Sequence, residues 1–355
     1  MLPIIDGHND TLLAATSDRA GGAFLDSEDA VLDSEDADSE SEADDDTSDG
    51  HLDLARAEKA GLAAGIFAAF VPNEEELEDW SELPPAVDAE RARRIVDEQF
   101  ETLHSWAAAT DRFRVIGDID DLDACLAGDA VGGIPHIEGA GAVDPDLVNL
   151  DSLYETGLRS LGLVWSRPNA FAHGVPFEHD ATPDIGPGLT EAGFDLVDAC
   201  EERGIVVDLA HLNAAGFWDV AETVDAPLVV SHAGAHGVSP ASRNLTDDQL
   251  DAVADSGGIV GCTFGTAHLR PDGQRGTDAS LSTLLDHVAY FADRMGVEHV
   301  GLGSDFDGAT VPEAVGDVTG LRDVLDGLED RGFDRAEREA IASGNWRRVL
   351  EAWWA

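Results

Sequence analysis

The sequence predicts an α/β protein folded as a (β/α)8 barrel. Two observations carry that expectation. Along the 355 residues, short apolar, β-branched runs alternate with longer amphipathic ones, and eight of the short runs have strand character. Residues with metal-ligating or acid–base chemistry also stand at the C-terminal ends of those runs, which a barrel gathers at one mouth. A doubly wound open sheet is the competing architecture. It carries a Gly-rich phosphate loop after its first strand, and Gly7-His8-Asn9-Asp10 is not one.

The first strand spans residues 4–8, where Ile4 and Ile5 lead into His8 and Asp10. Residues two apart on an extended strand point the same way. An imidazole and a carboxylate are therefore side by side, a pair suited to a divalent cation. A loop histidine followed by a helix-capping aspartate would read the same, so later strands decide.

Residues 25–50 are Asp, Glu, Ser and Ala with hardly a large side chain. Such a stretch has too little to bury to offset its ordering entropy, and is expected to be a mobile acidic insertion within one domain spanning 1–355. Beyond it, strands are expected at 62–71, 131–138, 158–165, 205–211, 228–232, 258–264 and 300–305. Helices are expected at 88–109, 190–203, 246–256, 279–295, 321–331 and 335–354.

Acidic residues number 73 against 21 basic ones, a formal charge of −52, and Lys59 is the single lysine. That charge repels nucleic acid and anionic membranes, so neither is an expected partner. Around a globular apolar fraction, it resembles a halophilic, archaeal-type protein adapted to a salt-rich cytoplasm, where molar salt shortens the Debye length to about 3 Å. Cys125, Cys200 and Cys262 are odd in number and widely spaced, so they are expected to be small buried residues in a reducing compartment. With no signal-like leader and no apolar run of membrane-spanning length, the expected location is cytoplasmic.

Glu138 ends the 131–138 strand, His211 the 205–211 strand, His232 the 228–232 strand and Asp305 the 300–305 strand. With His8 and Asp10 they supply three imidazoles and three carboxylates, enough for two divalent ions about 3.5–4 Å apart. His136 sits one layer deeper on the Glu138 strand and is expected to fill the core. His51, His104, His268, His287 and His299 are expected at the surface, and His236 at the mouth.

The motifs Asp6-Gly7-His8-Asn9-Asp10, Ile137-Glu138-Gly139, Asp208-Leu209-Ala210-His211, Ser231-His232, Ser242-Arg243-Asn244 and Ser304-Asp305-Phe306-Asp307-Gly308 resemble the membrane dipeptidase (renal dipeptidase) family, peptidase family M19. The resemblance implies a zinc-dependent dipeptidase acting through a metal-bridging hydroxide. Glu138 would bridge two Zn²⁺, with His8 and Asp10 on one ion and His211 and His232 on the other. Arg243 matches the arginine that grips the substrate carboxylate, and Asp305 the acid/base carboxylate. Trp165 stands where mammalian members have a histidine contacting the reacting group.

Mn²⁺ or Co²⁺ would suit the same ligands. Two other functions stay open: an amidohydrolase of N-acyl amino acids or other small amides, and a metal-binding scaffold without catalysis. The expected partner is a small peptide, and pairing of two copies as a homodimer stays open.

Overall fold

The structure is a computed structural model that describes residues 1–17, 24–25, 50–74, 79 and 81–355. Among these residues the chain forms nine strands: β1 (Ile4–Asn9), β2 (Leu62–Phe70), β3 (Phe113–Val115), β4 (Val131–Glu138), β5 (Ser160–Gly162), β6 (Val206–Asp208), β7 (Val229–Ala233), β8 (Ile259–Cys262) and β9 (Val300–Leu302). Every ladder between them is parallel.

Parallel pairing runs β2-β1-β9-β8-β7-β6-β5-β4, and β2 pairs with β4 to close the ring. Eight strands thus form a closed barrel with helices around it, as the alternation predicts. The ninth, β3, was not anticipated. It pairs with Val131–Gly133 of β4, while β5 pairs with His136–Glu138 further along the same edge. β3 therefore extends the barrel wall at its base.

Both β1 and β2 are buried along their whole length, as strands covered on two faces must be. The helices begin and end close to their expected bounds because their caps are explicit in the sequence. Asp88 accepts from the Arg91 N–H to open Ala89–Ala109, and Thr190 accepts from the Gly193 N–H to open Glu191–Arg203. Gly204 closes the latter in the left-handed conformation, φ 67°.

The expected 335–354 helix is instead two helices, Arg335–Glu339 and Asn345–Trp353, joined by a π-turn at Ala340–Gly344. The wider turn accompanies an anchor, since Asn345 Nδ2 donates to the Val297 and Val300 carbonyls at the start of β9.

Two residues at the start of the acidic segment are described. Phe24 stacks on Trp106 at 4.2 Å and packs edge-on against Phe67 and Phe113, and Leu25 beside it is buried. Residues 26–49 lie outside the described residues. Cys125, Cys200 and Cys262 are all buried free thiols, as expected. No helix among the described residues is long and apolar enough to cross a membrane.

Candidate active site

Six residues expected at the mouth meet there. His8 lies in β1, Glu138 ends β4 and His232 lies in β7. Asp10 follows β1 directly. His211 and Asp305 sit three residues beyond β6 and β9, in left-handed backbone at φ 65° and 61°. Those two strands are shorter than expected: they end at Asp208 and Leu302, three residues before the left-handed positions.

Close packing sets the register. A Cβ at Gly261 or at Gly303 would lie 2.0 Å from the Ser231 carbonyl oxygen. Only glycine lets β8 and β9 approach the residue preceding His232 so closely. The first and last strands are stitched together at the rim. The Asp305 N–H donates to the His8 carbonyl at 3.0 Å, and the Ser304 N–H and hydroxyl both donate to Asp6 at 2.7 Å.

Glu138 Oε1 is the centre of the cluster. It lies 3.0 Å from His211 Nε2, and 3.7 Å from both His232 Nε2 and His8 Nε2. His8 Nε2 is 3.4 Å from Asp10 Oδ2. The far side of each of the other two imidazoles is fixed by a hydroxyl. Ser166 holds His211 Nδ1 at 2.8 Å, and Ser231 holds His232 Nδ1 at 2.8 Å.

Ser231 also donates its single proton to Asp208 Oδ2 at 2.5 Å, so its oxygen must accept from His232 Nδ1. The proton of His232 is thereby placed on Nδ1, and the lone pair on Nε2 faces the cluster. That Nε2 lies only 3.1 Å from His211 Nε2.

The donor set fits a divalent metal. Both ring nitrogens of His8 and Asp10 Oδ1 are buried without a hydrogen-bond partner, an arrangement that is costly unless a cation completes it. His8, Glu138 and His232 present ligand atoms within 4.8 Å of one another, and so do His8, Asp10 and Asp305. His8, His136 and Asp208 satisfy the same distance. Asp208 is nevertheless engaged by Ser231 and the Ala210 N–H, and His136 Nδ1 by Ser160. His136 is fully buried one layer down, as expected.

Electrostatics agree with a cation site. Burial, with Asp10 and Asp305 adding to it and His8 opposing, pushes Glu138 up to about 8. Burial and then Asp10 push Asp305 up to about 6. His8 resists the lowering effect of burial because Glu138 and Asp10 hold it up to about 10. Burial drives His211 and His232 well below the ordinary imidazole range, reinforced by Arg243 and His8. Crowded carboxylates in a dry volume bind a divalent ion readily.

The family model described as Membrane dipeptidase (Peptidase family M19) matches residues 1–353. The chain belongs to peptidase family M19. As a member it is a metallo-dipeptidase. A solved structure of the dipeptidase AC, a family M19 metallopeptidase, superposes with a TM-score of 0.88 at 41% identity, covering 99% of both chains. A metallopeptidase from Rhodobacter sphaeroides, liganded with a phosphinate mimic of the dipeptide L-Ala-D-Ala, superposes at 0.89 with 39% identity and the same coverage. An uncharacterised protein from the pqqA 5′ region of Klebsiella pneumoniae is 41% identical over 248 residues, 70% of this chain and 92% of that protein.

Beside the candidate centre, Arg243 is buried, donates from Nη2 to the His232 carbonyl at 2.9 Å and leaves Nε without a partner. Trp165 lies three residues past β5, outside the strand it was expected to close. Its ring packs 5.2 Å from Phe70, 5.5 Å from Phe177 and 5.9 Å from His211. Arg167 lies over the Trp165 ring and donates to the Val71 carbonyl and Asn73 Oδ1, a buried guanidinium that sequence reasoning missed.

Two histidines expected at the surface are buried instead. His287 accepts from the Ala235 N–H and reaches the Leu269 carbonyl, bridging the loops after β7 and β8. His268 packs against Phe177. His236 is half-buried with Nε2 3.0 Å from the Ala181 carbonyl. An isolated histidine in an amphipathic stretch carries no signal of its burial.

Proposed function

We propose that this chain is a zinc-dependent dipeptidase that hydrolyses the amide bond of a short peptide with a free carboxylate. Two ions would be held, one by His8 and Asp10, the other by His211 and His232, with Glu138 between them. One observation carries the reading: a single carboxylate oxygen, Glu138 Oε1, faces the Nε2 atoms of all three imidazoles. Bound ions would supply Lewis acidity toward water and toward the scissile carbonyl.

The chain's own groups supply the rest. Asp305, raised toward neutrality by burial, accepts a proton from the attacking water and returns it to the leaving amine. Arg243 offers a buried Nε–H to the substrate carboxylate, in a dry setting where that contact orients the peptide strongly. Phe70, Trp165 and Phe177 form an apolar wall for a side chain. The liganded Rhodobacter sphaeroides relative supports a substrate of dipeptide size. We propose a salt-rich cytoplasm as the setting, on the strength of the −52 charge and the three free thiols.

Elemental analysis joined to a substrate panel tests the reading. The parent is expected to carry two zinc ions per chain and to cleave dipeptides in preference to N-acyl amino acids. Glu138→Gln is expected to lose at least one ion and about 1000-fold in kcat. An active Glu138→Gln variant from a parent holding one ion or fewer would overturn the bridging role, and exclusive cleavage of acyl amino acids the substrate class.

A further inference from the structure

Two residues beyond Asp305, Asp307 also adopts left-handed backbone, φ 66°. A non-glycine residue keeps that conformation only where its surroundings enforce it. Three hydrogen bonds do so. The His51 N–H donates to Asp307 Oδ1 at 2.6 Å, and the Asp307 N–H donates to His51 Nδ1 at 2.8 Å. The Thr11 hydroxyl donates to Asp307 Oδ2 at 3.0 Å. The His51 carbonyl accepts from the Val318 N–H at 2.9 Å, which anchors His51 from the far side.

This knot touches the candidate centre at two points. Thr11 follows Asp10 directly. Gly308, the residue after Asp307, presses on both neighbouring carboxylates: a Cβ there would come 2.0 Å from Asp10 Oδ2 and 2.7 Å from Asp305 Oδ1. The Asp307 carboxylate is itself spent on Thr11 and His51. Its part is mechanical.

We propose that His51 is a positioning residue, which clamps Asp307 and through it sets Asp305 and, by way of Thr11 and Gly308, Asp10. The contact that matters is the lone pair of His51 Nδ1, because the backbone N–H of residue 51 survives substitution by alanine or asparagine. The kinetic arm of the test rests on the metallo-dipeptidase reading; the exchange arm does not.

His51→Ala removes the acceptor, whereas the side-chain oxygen of His51→Asn can take the Asp307 N–H. Outer-shell partners of a metal site are typically worth 10- to 100-fold, so His51→Ala should lower kcat by roughly that factor with KM changed less than about threefold. In the metal-free protein, amide exchange across residues 304–309 should accelerate in His51→Ala. His51→Asn should restore both readouts to within about threefold of the parent.

Parent-like kcat and exchange in His51→Ala would overturn the proposal, as would equal impairment of the two variants. Should His51→Ala not fold, His51→Leu, which keeps side-chain bulk without an acceptor for the Asp307 N–H, carries the same exchange test with the same acceleration expected. If the parent cleaves no dipeptide, the enzymatic reading falls while exchange still decides the clamp.

Discussion

At Trp165 the indole meets Phe70, Phe177 and the candidate ligand His211, with the Arg167 guanidinium over its ring. An indole donates one hydrogen bond, from Nε1, and otherwise supplies apolar area. We therefore expect Trp165→Phe to change KM and substrate preference while kcat stays within about tenfold, since losing a true oxyanion donor costs about 100- to 1000-fold. Steady-state kinetics on several dipeptides, with metal content measured in parallel, check this. A larger kcat loss at unchanged metal content would assign the indole N–H to the reacting oxygen. The tautomer relay from Asp208 through Ser231 to His232 is the other lesson at this scale: a hydroxyl with one proton decides which nitrogen faces the cluster.

Among the elements, the acidic segment is tied at both ends. Phe24 is buried among aromatic rings, and its carbonyl accepts from the Leu54 N–H at 2.9 Å. His51 is held on Asp307 at the other end. Because Phe24 and Leu54 are in contact, a few Gly/Ser residues can span the gap left by residues 26–49. Replacing them with such a linker should leave metal content unchanged and kcat within about twofold, as burial and not position decides tolerance. Loss of bound metal in the shortened chain would show that the segment supports the fold. The strands were legible because buried parallel strands read as apolar runs between amphipathic helices. Their C-terminal limits were not, since nothing in hydropathy marks that β6 and β9 stop at Asp208 and Leu302, three residues before the chain turns with positive φ at His211 and Asp305. β3 is three residues long with no alternation to read, and the break before Asn345 depends on carbonyls that the sequence does not reveal.

For the whole molecule, 73 acidic side chains against 21 basic ones act as a distributed repulsion that salt must screen. The exposed arginine–carboxylate pairs, such as Arg294 with Asp251 and Arg347 with Asp123, offset little of it, because solvent screens them and holding two long side chains in place costs entropy. We expect the thermal midpoint to rise steadily from low-salt buffer to about 2 M KCl, with inactivation on transfer to low salt. A midpoint independent of KCl would sink the expectation of salt adaptation. The pairing of β1 with β9 has a further consequence, for biosynthesis. His8 leaves the ribosome nearly 300 residues ahead of its neighbour Asp305. At roughly 5–20 residues per second the interval is on the order of 15–60 s. Until then the nascent chain holds an open wall with a waiting edge, and a ribosome that stalls before β9 releases a chain that cannot close its ring around the centre.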